Sequence, residues 1–451
     1  MIRWIKTTIS VGNRSRQITY GFTRHGVAGS LSALGIEMGM RGIRISGISR
    51  GKNIPFDEVF GRNLARTFIY LGPTFIKLGQ VLATRPDLVG DRVAESLKIL
   101  FDRVPGIPFN RIQKILRQEL GYLRFKKGFR SIDPDALASA SISQTHRAVL
   151  ADGTPVILKV QKDNVAEKVR ADLLILEGLV RPLDKIYPSL SLWHVFKDFR
   201  EATLREIDYR EEAKNIDRFR KNYSGLFKNH DVAFPKYYPD LSTEKVLALE
   251  PMHGEKLVDL KKGSTVARQA ASLSLASVLE QIFDHGFFHA DPHGGNLFFM
   301  EDEGRLGFID LGLVGQLEPR DKKKFLKVLL AVLKRDRDRL AAALFDLGTA
   351  GPKTNFENFN GDVQVMLDEI KATGVQNLRL EPMVNKLLQL ARKHGVHIPN
   401  RYVMMIRSCL VIEGVAKGLD PNLSIVNVAT PILAKSLLKN SGPIGFIRRM
   451  F

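Results

Sequence analysis

The stretch His289-Ala290-Asp291-Pro292-His293-Gly294-Gly295-Asn296, followed later by Asp310-Leu311-Gly312, decides how this chain is read. Asp291 and Asn296 stand five positions apart, and Asp310 comes directly after a strand-like run, Arg305 to Ile309. A hard cation such as Mg2+ takes oxygen ligands, commonly one or two carboxylates beside substrate phosphates. The Asn296 amide oxygen and the Asp310 carboxylate offer such a set, and Asp291 would orient or deprotonate a nucleophile. Alone, Asp-Leu-Gly marks an ordinary turn; its place after a strand and after Asp-x-x-x-x-Asn gives it weight. The two histidines beside Asp291 could suggest another metal site, but their spacing does not match the common zinc motifs.

Upstream, Ser143 to Leu150, the turn Asp152-Gly153 and Thr154 to Val160 read as a β-hairpin. Lys159 lies on its second strand, where an ammonium can pair with nucleotide phosphates if a helix carboxylate orients it; Glu212, in the run Glu206 to Asn215, is the expected partner. Alone, Lys159 would read as a lysine snorkelling from an exposed strand. The order Lys159, Glu212, Asp291, Asn296, Asp310, with the Asp–Asn spacing of a protein-kinase catalytic loop, favours a kinase-type nucleotide site for ATP and Mg2+. No Gly-rich loop precedes Lys159. Its place is taken by small residues from Ala136 onward, and Leu137, Ala138, Ser139, Ala140, Ser141, Ile142, Ser143, Gln144 and Thr145 are the expected phosphate-loop contacts. Glu250 and Met252, after the buried strand read at Lys245 to Glu250, complete the expected nucleotide-binding residues.

A sheet-bearing segment followed by a helical one gives an α+β, two-lobed, protein-kinase-like outline. The expected boundaries are a basic segment at 1–55, a helical extension at 56–130, a sheet-bearing N-lobe at 131–253 and a helical C-lobe at 254–451. Gly72-Pro73 is read as a helix start, Asn110 as a cap, Val165 to Phe219 as one long helical stretch, and everything after Asp321 as helices. Of the 451 residues, 44% are hydrophobic and 26% charged, which is enough to bury a core and excludes a disordered or fibrous chain. The single cysteine, Cys409, rules out a disulfide framework and reads as a buried small hydrophobe.

The net charge of +20 asks for an anionic partner. No aromatic–basic interleaving or DNA-binding motif is present, so nucleic acid is not expected, and an anionic membrane surface is. No apolar run is long enough to span a bilayer. The N-terminus carries Arg3, Lys6, Arg14, Arg16 and Arg24 with no acid before Glu37. That pattern suits a basic amphipathic helix lying on a membrane or on the protein itself, with a mitochondrial presequence as the alternative.

At these residues the chain resembles the UbiB (ADCK-type, aarF-domain) family of atypical kinases. That family has an Ala-rich loop, matched by Ala136 to Ala148, and a K-x-G-Q motif in a helical extension, matched by Lys77-Leu78-Gly79-Gln80. Its E-x-D motif is matched by Glu206-Ile207-Asp208, and its H-A-D-P-H-x-G-N motif by His289 to Asn296. The resemblance runs from about residue 15 to about 430. It implies that Lys77 lies near the carboxylates of Glu206 and Asp208, with the K-x-G-Q helix folded where a protein substrate would dock. Without it, Lys77 and Gln80 would read as the polar side of an ordinary helix. The chain departs from the pattern at Ser139, at Gly294 in place of a common proline, and at Arg448-Arg449-Met450-Phe451, where many bacterial relatives continue into two transmembrane helices.

The resemblance implies an Mg-ATP-dependent ATPase or kinase, with Asp291, Lys159, Glu212 and Lys77 as catalytic residues and protein phosphorylation disfavoured. It implies a peripheral protein of the bacterial inner membrane on its cytoplasmic side, or of the mitochondrial matrix face, working with quinone-biosynthesis enzymes or lipid intermediates. The alternative is a nucleotide-dependent lipid-binding scaffold with little turnover.

Overall fold

The computed structural model describes residues 2–27, 56–83, 85–101, 106–186, 192–224, 231–334, 336–350, 354–373, 386–387, 389–391 and 393–436. Most of the expected basic segment beyond Val27, and Arg448 to Phe451, lie outside the described residues. The chain divides into two compact units: Met1–Ala213 with Tyr237–Pro251, and Lys214–Lys236 with Met252–Phe451.

The first unit opens with helices α1 (Ile2–Arg24), α2 (Phe56–Leu71), α3 (Pro73–Ala83), α4 (Pro86–Val89), α5 (Asp91–Leu97), α6 (Phe109–Leu120) and α7 (Tyr122–Gly128). Between α2 and α3 the backbone turns at Gly72, whose φ of 94° suits only a residue without a Cβ, and Pro73 starts α3 with its ring at a position that needs no amide donor. The start of α6 is set by Pro108, not by Asn110, which falls within the first turn. Arg14 of α1 is 5% exposed and pairs with Asp172, itself fully buried, at 2.6 Å; its guanidinium also donates to the Leu71 carbonyl oxygen. One cation of the expected basic helix is therefore spent inside the protein.

Strands β1 (Phe129–Ser139), β2 (Ser143–Leu150) and β3 (Pro155–Gln161) follow, then α8 (Val165–Ile186), α9 (Leu192–Glu206) and α10 (Tyr209–Tyr223). After β4 (Val232–Ala233), which belongs to the second unit, β5 (Val246–Leu249) completes an antiparallel sheet ordered β1-β2-β3-β5. Successive strand residues face opposite sides. Val156, Leu158 and Val160 enter the core with Ile112 and Leu116 of α6, and Lys159 is thereby turned to the other face.

The stretch read as one helical run is three helices, and the break before α10 is chemical. The Asp208 carboxylate accepts the Arg210 amide at 3.0 Å, a helix N-cap, and Glu211 follows three positions later.

In the second unit, β4, β6 (Glu255–Lys256), β8 (Leu297–Met300) and β9 (Arg305–Phe308) form a sheet ordered β4-β9-β8-β6, and β7 (Phe287–His289) pairs with β10 (Val314–Gln316). Helices α11 (Thr265–Glu280), α12 (Pro319–Lys334), α13 (Arg337–Leu347), α14 (Phe356–Thr373) and α15 (Asn400–Leu419) make up most of the rest. Two elements depart from the sequence reading. The amphipathic helix closes in a π turn over Gln281–His285, and the all-helical tail contains a short pair, Thr349–Ala350 with Val396–His397. No helix among the described residues is long and apolar enough to cross a membrane.

Candidate functional site

In the first unit, the Lys159 ammonium donates to both carboxylate oxygens of Glu212, at 3.0 and 2.8 Å. Lys159 stands opposite Thr145 on β2 and Leu247 on β5, so the sheet holds its backbone on both sides. Glu212 is 4% exposed and sits in the first turn of α10, where the helix dipole favours an anion. The Tyr209 ring lies 5.4 Å from the ammonium and adds a cation–π contact. This is a cation whose position is fixed from the strand, the helix and an aromatic face.

The small-residue stretch is not a free loop. Ala136 to Ser139 end β1, Ala140 to Ile142 turn, and Ser143 to Thr145 begin β2. Lys162 closes the turn: its amide donates to the Ile142 carbonyl at 2.8 Å and its ammonium to the Ala140 carbonyl at 2.7 Å. Burial pushes the Lys162 ammonium below its ordinary value. Ala136, Leu137, Ala138 and Ala140 are exposed, whereas the side chains of Ile142, Ser143 and Gln144 point inward. Gln144 is committed to structure, since its amide oxygen accepts the Ile107 N–H at 2.7 Å and its NH2 donates to the Ile107 carbonyl at 3.2 Å. Glu250 is exposed just beyond β5. Met252 belongs to the second unit, where a Cβ on Gly307 would come within 2.5 Å of its Cε.

Lys77 pairs with Glu206, each somewhat under a third exposed. Asp208, the other expected carboxylate, binds Arg210, whose guanidinium donates to both its oxygens at 2.8 and 2.7 Å. That contact raises the guanidinium's already high proton affinity. Gly79 serves packing: a Cβ there would meet Leu100 Cδ1 at 2.2 Å and Phe68 Cδ2 at 2.6 Å. Gln80 donates to the Leu100 carbonyl at 2.8 Å. Three of the four K-x-G-Q positions therefore hold α3 in place.

In the second unit the loop from His289 to Asn296 is braced by its own backbone and histidines. The Asp291 amide donates to His289 Nδ1 at 3.1 Å, and the Asn296 amide to the His293 carbonyl at 2.9 Å. His289 is buried, and burial lowers its proton affinity against the opposing pull of the Asp310 and Asp291 carboxylates. Leu297 of β8 pairs with Phe308 of β9, and the Ile309 amide donates to the Asn296 carbonyl at 2.9 Å. Asn296 and Asp310 therefore leave neighbouring places on one ladder. Asp310 holds φ at 56°, one of two non-glycine residues with positive φ among those described. Such a conformation costs about 1–2 kcal/mol for an ordinary side chain, and less for Asp or Asn.

Three contacts, two to this loop and one to the turn after β9, escaped the sequence reading. Arg407 of α15 reaches Asp291 at 3.5 Å, and its neighbour Ser408 donates to the His289 carbonyl at 2.6 Å from a buried position. Asn215 donates to the Leu311 carbonyl at 2.9 Å. No local pattern marks them, because each meets the motif from 74 or more positions away. Cys409, beside Ser408, is partly exposed as a residue, yet burial and then Glu413 push its thiol up to about 12.

Residues 99–344 match the ABC1 atypical kinase-like domain, and residues 363–424 match the UbiB helical domain. Lys159, Glu212, Asp291, Asn296 and Asp310 fall within the first match and Arg407 within the second, while Lys77 precedes both. An uncharacterised Synechocystis protein, slr1919, is 33% identical over 83% of this chain and 66% of its own length. A Marinobacter nauticus protein named probable protein kinase UbiB is 30% identical over 84% of this chain and 70% of its own length. The chain thus spans about two thirds of these curated relatives. Among solved structures, the erythromycin complex of Rv3197 from Mycobacterium tuberculosis matches with a TM-score of 0.51 at 22% identity, covering 77% of this chain and 90% of that one, a likeness of fold. The chain is α+β with small, mostly antiparallel sheets, and it belongs to the ABC1/UbiB family of atypical kinase-like proteins.

Proposed function

We propose that this protein binds Mg-ATP and cleaves its terminal phosphate, with water or a small lipid-like acceptor rather than a protein as nucleophile. The observation that carries the reading is the Lys159–Glu212 pair, a cation fixed by both oxygens of a buried carboxylate. Such a cation is suited to nucleotide phosphates. Asn296 and Asp310 form an oxygen donor set that fits Mg2+. Bound Mg2+ would neutralise charge developing on the phosphates. Asp291 orients the nucleophile or takes its proton.

The UbiB names of relatives support a role in ubiquinone biosynthesis. The net charge of +20 supports peripheral attachment to an anionic membrane, at a bacterial inner membrane or a mitochondrial matrix face. A second reading, a nucleotide-dependent lipid-binding scaffold with little turnover, draws on Arg407, whose guanidinium reaches the Asp291 carboxylate at 3.5 Å and engages it in an ion pair.

The test is phosphate release from Mg-ATP with and without anionic vesicles, comparing the native chain with Asp310→Asn. Turnover raised by vesicles and lowered roughly 100-fold or more by the substitution supports the enzyme. Nucleotide binding with no release in either protein sinks it and leaves the scaffold.

A further inference from the structure

The turn from Ala140 to Ile142 joins β1 to β2 where a kinase-type site would keep glycines, and it contains none. Nor does it use their conformational freedom. Among the described residues only Asn164 and Asp310 combine a side chain with positive φ, so Ala140, Ser141 and Ile142 all keep ordinary backbone angles. What holds the turn is Lys162, which stands just past the end of β3 and is 8% exposed. Its ammonium donates to the Ala140 carbonyl at 2.7 Å and its amide to the Ile142 carbonyl at 2.8 Å.

A trans peptide unit is planar, and its carbonyl and N–H point in opposite directions. The Ala140 carbonyl faces the buried Lys162 ammonium. The Ser141 N–H, which belongs to the same peptide unit, therefore points away from it. That N–H donates to no carbonyl or side chain among the described residues. An N–H held in one direction without a protein acceptor is suited to an oxyanion. The turn also lies near Lys159 along the sheet, since Ser143 pairs with Gln161, two places further along β3.

From this clamped peptide we infer that Lys162 is a positioning residue: by fixing the Ala140 carbonyl it presents the Ser141 amide to a phosphate oxygen of the nucleotide. A buried ammonium thus does for this turn what glycine does for a Gly-rich loop. The inference rests on the nucleotide reading and adds to it a residue outside the motifs that suggested that reading.

The experiment compares binding of ATP, and of adenosine, which has no phosphates, to the full chain and to Lys162→Met. Expected is ATP binding weakened roughly tenfold or more in the variant, with adenosine bound equally by both proteins, a split that a general loosening of the fold would not produce. Hydrogen exchange at the Ser141 amide of the native chain supplies a second measurement, valid even if Lys162→Met does not fold: ATP should slow it and adenosine should not. Equal ATP affinity in the two proteins, an equal loss for adenosine, or a Ser141 amide indifferent to ATP overturns the assignment and leaves the nucleotide reading in place. Absence of ATP binding by the native chain overturns both.

Discussion

Two of the first unit's lysine–glutamate pairs, Lys159–Glu212 and Lys77–Glu206, are made of the same two groups and sit in different surroundings. Lys159–Glu212 is 18% and 4% exposed, locked by a strand on one side and a helix start on the other, with an aromatic face beneath. Lys77–Glu206 is 28% and 30% exposed and joins the middle of α3 to the last residue of α9. Removing one partner of a buried pair costs about 3–5 kcal/mol, because the remaining charge loses its compensation. A partly exposed pair contributes about 0–1 kcal/mol, because water reaches both ends. The first pair is thus a fixed part of the fold, and the second a clasp that can open at little cost.

The largest effect expected is from Lys159→Met, which takes the cation from buried Glu212: a loss of about 3–5 kcal/mol in urea unfolding, together with nucleotide binding. Next comes Gly79→Ala. In an open helix it would stabilise by about 1 kcal/mol, but the close approach of Leu100 and Phe68 reverses the sign, to a loss of about 1–3 kcal/mol. Asp208→Ala removes the cap of the helix that carries Glu212 and costs about 1 kcal/mol. Smallest is Lys77→Met, at under about 1 kcal/mol, and in about 1 M salt, where the Debye length is roughly 3 Å, its effect on unfolding should vanish while that of Lys159→Met persists. Equal costs for the two lysines, or equal sensitivity to salt, would abolish the distinction.

What could be read in the sequence was what the chain keeps close together. His289 to Asn296 and Asp310 to Gly312 flank one hairpin, so their nearness in the fold could be read from their spacing and order. The hairpin carrying Lys159 was legible from its period of two and its Asp-Gly turn. Side-chain capture of distant backbone was not. Gln144 looks like a loop residue until its amide is seen clamped to Ile107, and Ser408 until its hydroxyl meets the His289 carbonyl. The break before α10 could have been found, because Asp208-Tyr209-Arg210-Glu211 is a capping pattern.

The Arg14–Asp172 pair has a consequence for anyone who cuts this protein. Asp172 has no exposure, and its counter-charge arrives on a helix that ends at Arg24. A chain begun after α1 would leave that carboxylate without its guanidinium and the Leu71 carbonyl without its donor. The N-terminal helix is therefore part of the core of the first unit. Supplied as a separate peptide spanning residues 2–27, it should re-enter its slot and restore the melting temperature of the shortened chain, and the same peptide with Arg14→Leu should not.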